Sequence, residues 1–163
     1  MENITALQGA VLSDKVYNDL SSYVDTDKTI SDGFDNSYYV LEFLSDQTTD
    51  LQMALYQNTV TGNYVVAFRG TESVADWITD AGMGVATLME GLEASFTIAG
   101  VTLASWIGNP DYNLSPANTT IVGHSLGGSL AQYFGATTGF ETLTYNALSI
   151  GIKVEIKNKR KVA

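Results

Sequence analysis

The stretch that most constrains this chain runs from Thr119 to Gly128, Thr-Thr-Ile-Val-Gly-His-Ser-Leu-Gly-Gly. A short β-branched run there meets a Gly-x-Ser-x-Gly pattern and then a segment with helical spacing. In that segment Leu126, Leu130 and Phe134 fall four apart, and Gly139 is placed to stop the helix. Together these features predict a strand that turns sharply into a helix with Ser125 at the turn. Gly123 and Gly127 remove side chains where the two backbones crowd. A helix that starts at the serine directs its first N–H groups and its positive dipole end at any negative charge forming there. The pattern therefore reads as a nucleophile elbow, with Ser125 as nucleophile and the Leu126 N–H as one oxyanion donor. A glycine-rich turn without chemistry is the alternative reading of the same residues.

An elbow of this kind needs a second oxyanion donor from the loop after an earlier strand. Tyr64 to Phe68 is a continuous β-branched and aromatic run, the composition of a strand buried on both faces, and it ends in Arg69-Gly70-Thr71-Glu72. Thr71 suits the role through its N–H and its hydroxyl, with a plain turn as the alternative. Ser73 with Asp76 resembles a capping box for a short helix over Val74 to Asp80. Tyr38 to Leu44, Leu51 to Gln57 and Glu141 to Tyr145 read as further strands. Ile4, Leu7, Val11, Val16 and Leu20 mark an amphipathic helix. The apolar segment from Ala81 to Gly108 has helical spacing and supplies the crossover, packing most of its side chains in the core and offering the rest to an acyl-chain groove. Strands alternating with helices predict an α/β fold, a mostly parallel sheet with flanking helices.

Length and charge narrow the function. At 163 residues and 45% apolar composition the chain suffices for one domain with a real core, and its lack of cysteine excludes disulfides and thiolate metal sites. Asp25, Asp27, Asp32 and Asp35 do not match a calcium loop, because Ile30 stands where its glycine belongs, and they read as solvated turn residues. No cofactor or metal is expected. The net charge of −10 is uneven: residues 1–152 carry only Lys15, Lys28 and Arg69 as cations, while Lys153, Lys157, Lys159, Arg160 and Lys161 crowd the end. An acidic body excludes nucleic acid as a partner and simple attraction to anionic membranes. The first residues lack a basic start, so no signal peptide is read, and the nearly charge-free run from Ala94 to Ile107 is too short to span a membrane.

Read together and in order, Ala67-Phe68-Arg69-Gly70-Thr71, Asp76-Trp77, Gly123-His124-Ser125-Leu126-Gly127-Gly128 and Tyr145-Asn146-Ala147 resemble the class 3 lipases, the fungal-lipase-like and phospholipase A1-like group of the α/β-hydrolase superfamily. The likeness covers residues 4–151. It implies hydrolysis of a lipid carboxylic ester, a triacylglycerol or a phospholipid cleaved at its first acyl position, with transient contact at a lipid interface. By the same likeness Ser125 is the nucleophile, and Thr71 and Leu126 are the oxyanion donors.

The resemblance also implies a triad acid and a histidine after the serine, and these are absent from this chain. Its one histidine is His124, inside the motif, and the acids after Ser125 are Glu141 and Glu155. The expected organisation is a C-terminally incomplete α/β-hydrolase domain over residues 1–151, followed by a basic tail, 152–163, outside the family fold. A frameshift, an early stop or engineering would produce this pattern. Catalysis by the chain itself is then expected to be impaired. A non-catalytic lipid- or acyl-binding module and a non-functional truncated fragment are the competing readings, and an exposed sheet edge at Thr142 to Tyr145 is expected to favour self-association.

Overall fold

The computed structural model describes residues 3–70 and 85–147, residues 85–90 as helix without their side chains. Helix α1, Ala6–Lys15, begins where Thr5 and Gln8 cap one another. Thr5 Oγ1 accepts from the Gln8 N–H at 3.3 Å and Gln8 Oε1 accepts from the Thr5 N–H at 2.7 Å. A six-stranded sheet follows in chain order: β1 Thr29–Ser31, β2 Ser37–Asp46, β3 Leu51–Asn58, β4 Tyr64–Arg69, β5 Thr119–His124 and β6 Glu141–Tyr145. Helix α2, Val85–Gly108, lies in the chain between β4 and β5, and helix α3, Leu126–Thr138, between β5 and β6. Gly139 ends α3 in the left-handed conformation at φ 77°, its N–H bonded to the Gly135 carbonyl, as the sequence predicts.

The α/β-hydrolase fold class stands, but the sheet is mixed rather than mostly parallel. β1 to β4 pair antiparallel, whereas β4, β5 and β6 are parallel. The reason is connection length. The chain between β2 and β3, and again between β3 and β4, is a short polar turn, which can only reverse direction, while α2 and α3 are long enough to carry it back for a parallel pairing.

Two cores result, one on each face of the sheet. All six residues of β4 are buried, and they alternate between the layers. Val65 and Ala67 join Leu12, Val16, Ala54, Tyr56 and Val122 under α1. Tyr64, Val66 and Phe68 join Leu103, Trp106, Ile121, Leu130 and Phe134 under α2 and α3. A strand covered on both faces has no polar side to show, which is why its sequence reads as an unbroken apolar run. One polar expectation is corrected: Asp32 is fully buried rather than solvated. Its carboxylate accepts from the Phe34 N–H and from Asn36 Nδ2, both at 2.9 Å, which offsets its desolvation. The short helix expected over Val74 to Asp80 and the basic tail lie outside the described residues.

The α1 contact is the smaller and more testable of the two layers. Leu12 is wholly buried against the sheet, while Leu7 on the same helix is 67% exposed. Leu12→Ala is expected to lower unfolding free energy by about 2–5 kcal/mol, and Leu7→Ala by less than about 0.5 kcal/mol, in urea titrations followed by circular dichroism. Equal effects at the two positions would show that α1 is not docked by this face.

Candidate active site

Ser125 stands between the end of β5 and the first residue of α3 with φ 56° and ψ −125°. A serine at positive φ is strained, by about 1–3 kcal/mol, and persists only where its surroundings impose it. Those surroundings are visible. A side chain on Gly123 would overlap the Gly127 carbonyl, and one on Gly127 would overlap the Phe68 carbonyl at the end of β4. The Ser125 N–H donates to the Tyr145 carbonyl at 3.0 Å, which fastens the turn to β6. The turn thus touches three parallel strands and the helix it opens.

The same turn organises the helix N-terminus. The N–H groups of Gly128 and Ser129 donate back to the Ser125 carbonyl, at 3.0 and 3.3 Å. The N–H groups of Leu126 and Gly127 precede them and have no acceptor within the helix, so they are the ones a helix presents to an anion. Gly70 approaches this point so closely that a Cβ there would overlap the Leu126 side chain. The loop after β4 therefore starts against the residue that follows Ser125. Thr71, the next residue in that loop and the second expected oxyanion donor, lies outside the described residues.

Among the described residues, His124 and Glu141 are bonded away from the serine. His124 Nδ1 and the Tyr17 hydroxyl are hydrogen-bonded at 2.8 Å, so the imidazole is held toward α1. The Glu141 carboxylate accepts from the Asn3 N–H at 3.2 Å and from Thr120 Oγ1 at 3.0 Å. It opens β6, four residues before Tyr145, and is about 13 Å from the Ser125 end of the strand. Neither group forms an acid–histidine pair with Ser125, and Glu155 lies outside the described residues.

Two depressions flank the elbow. On the α1 side a cleft of about 310 Å³ is lined by Ala10, Ser13, Asp14, Tyr17, His124 and Tyr145. Tyr145 donates its hydroxyl to the Ala6 carbonyl, and burial pushes its phenol above the ordinary value, so it stays protonated. On the other face, α2 and α3 flank an open, largely apolar groove of about 660 Å³ along Leu92, Phe96, Gly100, Val101, Tyr133 and Phe134, with Glu93 and Thr97 also in its lining. Tyr133 is eight residues along α3 from Ser125, about 12 Å, so this groove flanks the elbow rather than containing it. Tyr17 is the residue that sequence reasoning missed. Nothing near it marks it, because its partner His124 is 107 residues away in the chain.

A mixed sheet between helical layers, with a positive-φ serine at the carboxyl end of a parallel strand, is an arrangement of the α/β-hydrolase fold class. The family model of the Tle-like phospholipase domain matches residues 8–163, and the chain belongs to this family. No curated protein matches it in sequence. Among solved structures the fold is similar to that of Lip2 lipase from Yarrowia lipolytica, with 22% identity over 86% of this chain and 56% of the lipase and a TM-score of 0.56. It is also similar to lipase from Rhizopus microsporus var. chinensis, with 17% identity over 87% of this chain and 56% of that one and a TM-score of 0.55. A triacylglycerol lipase from Penicillium expansum gives 21% identity, 86% and 58% coverage and a TM-score of 0.50. The chain spans little more than half the length of each of these lipases.

The strain at Ser125 has a direct consequence. Glycine adopts this backbone conformation without a side-chain clash, and alanine does not. Ser125→Gly is therefore expected to be more stable than Ser125→Ala by about 1 kcal/mol, after allowing for glycine's greater unfolded-state entropy. Chemical denaturation of the two variants measures the difference, and an alanine variant of equal or higher stability would contradict a strained turn.

Proposed function

We propose that this chain carries the nucleophile and oxyanion site of a carboxylic ester hydrolase that acts on lipids. The observation that supports this most strongly is the positive-φ Ser125 at the mouth of a helix N-terminus. Ser125 Oγ attacks the ester carbonyl, the N–H groups of Leu126 and Thr71 take the oxyanion, and the Thr71 hydroxyl assists. Collapse of the tetrahedral species expels the alcohol and leaves an acyl-enzyme, which water cleaves to the free acid. Membership of the Tle-like phospholipase domain family favours a phospholipid over a triacylglycerol. The aromatic groove between α2 and α3 supports the same reading as a surface along which an acyl chain can run.

The proton of Ser125 needs a base, and among the described residues no hydrogen bond joins Ser125 to His124, whose Nδ1 is bonded to Tyr17. Loss of a triad costs on the order of a millionfold in turnover in a serine hydrolase, so the polypeptide of these residues is expected to turn over esters feebly. The second reading, a non-catalytic acyl-binding module, draws on the same Tyr17–His124 bond. Chemical rescue separates the two, because free imidazole can stand in for an absent base at an otherwise complete site. With a fluorophosphonate probe and peptide mass mapping, we expect slow modification at Ser125 that imidazole accelerates about tenfold or more. Thr71→Val is expected to slow the rescued reaction by about 10²–10³. Modification elsewhere, or no response to imidazole, would favour the binding module.

Self-association belongs to the same proposal. Among the described residues β6 is the last strand of the sheet, and an unpaired strand edge is a template for another chain. Light scattering of the purified chain is expected to rise with concentration faster than a monomer allows. A monodisperse monomer at all concentrations would remove this element.

A further inference from the structure

The ester chemistry above makes no use of Arg69, the one buried cation among the described residues. Arg69 closes β4 and is 7% exposed. The register places it between Gln52 of β3 and His124 of β5, and it is the last residue of β4 to pair with either neighbour. Alternation along the strand puts its side chain on the α1 face, in line with Val65 and Ala67. There Nη1 donates to Gln52 Oε1 at 2.7 Å, and the guanidinium lies 5.1 Å over the Tyr17 ring. The Tyr17 hydroxyl in turn is hydrogen-bonded to His124 Nδ1 at 2.8 Å. Three strands and the turn after α1 therefore meet in one row of polar side chains. The row ends one residue before Ser125 on β5 and one residue before Gly70 on β4.

Stability alone is a weak reason for such a row. Taking a guanidinium out of water is costly, and an apolar side chain of similar volume commonly serves a core as well or better. The ion pair returns little, because Asp50 is half exposed and stands 3.7 Å from Nη2. What an arginine adds is direction. Its planar fork holds a fixed angle between an acceptor and an aromatic face, which the single ammonium of a lysine does not. Direction matters at this position. The strand pairing of β4 stops at Arg69, yet the next residue, Gly70, lies so close to α3 that a Cβ on it would overlap the Leu126 side chain. The Arg69 side chain is the last fixed point before that approach.

We propose that Arg69 is a positioning residue for attack at Ser125. Clamped by Gln52 and the Tyr17 ring, it fixes the direction in which the chain leaves β4 against Leu126. It thereby sets the separation between the oxyanion donor of that loop and the nucleophile. Arg69 acts through Gly70 rather than on the substrate, and a displacement of about 1 Å transmitted in this way can cost on the order of 10²-fold in rate. The role in the reaction rests on the hydrolase reading above, whereas the row of side chains stands on its own contacts.

Arg69→Lys keeps the charge and loses the fork. In the imidazole-assisted fluorophosphonate reaction it is expected to lower the maximal rate constant about tenfold. The half-saturating probe concentration is expected to change by less than about twofold, because the probe still binds and only its attack is misaligned. Gln52→Ala removes the acceptor alone and is expected to lower the same constant about threefold. Circular dichroism confirms the fold of both variants. An unchanged constant in Arg69→Lys, or a loss carried equally by half-saturation, would overturn the positioning role. Gln52→Ala reacting at the wild-type rate would overturn the clamp even where Arg69→Lys does not fold. His124 is the chain's single histidine, so its imidazole C2–H resonance in proton NMR needs no assignment and reads the row without a probe. That resonance is expected to move in Arg69→Lys as the Tyr17 ring shifts, and an unmoved resonance would overturn the row. A wild-type chain left unlabelled at Ser125 contradicts the hydrolase reading and takes the positioning role with it, while the His124 resonance still decides whether Arg69 holds the row.

Discussion

The structure depends on one crowded turn. Ser125 occupies a backbone conformation that costs about 1–3 kcal/mol, a sizeable share of the 5–15 kcal/mol that stabilises a typical domain. It is held there because Gly123 lies on the Gly127 carbonyl, Gly127 lies on the Phe68 carbonyl, and the Ser125 N–H is bonded to Tyr145. These contacts fix the angle at which α3 leaves β5, its depth against β4 and its distance from β6. The same contacts place the N-terminus of α3 directly after the serine. Strain and packing at this point are one arrangement rather than two.

What could be read from the residues follows from how local the signal is. The elbow was legible because strand run, glycines, serine and helical spacing lie within about twenty consecutive residues and each has a local steric reason. β4 was legible because a strand buried on both faces leaves no polar positions. The sheet's mixed character was not recovered, although the short polar turns between β2, β3 and β4 contained it, since strand composition alone carries no direction. Asp32 was misread as solvated because its partners, the Phe34 N–H and Asn36, become visible only once the turn is folded. Tyr17 went unnoticed for a similar reason, as its meaning comes from a histidine on a strand more than a hundred residues later.

The two sides of the elbow differ in kind, and that difference carries the functional account. Toward α2 and α3 the surface is aromatic and apolar, built by Phe96, Tyr133 and Phe134 with ring centroids 5.1 to 6.2 Å apart. Toward α1 it is polar and acidic, with Asp14 and the Tyr17–His124 pair. A lipid ester has the same two-sided character, an acyl chain on one side of the carbonyl and an alcohol on the other. The match to the phospholipase family agrees with that polarity, and among the described residues His124, bonded to Tyr17, and Glu141, bonded to Thr120 and the Asn3 N–H, form no acid–histidine pair.

The central claim is that Ser125 can form a tetrahedral adduct stabilised by the backbone around it. Phenylboronic acid tests this without turnover, because boron becomes four-coordinate when a serine oxygen adds to it. In ¹¹B NMR the account predicts an upfield, tetrahedral signal with the wild-type chain that disappears in Ser125→Ala. A signal that stays trigonal with the wild type, or a tetrahedral signal that survives in Ser125→Ala, would contradict it.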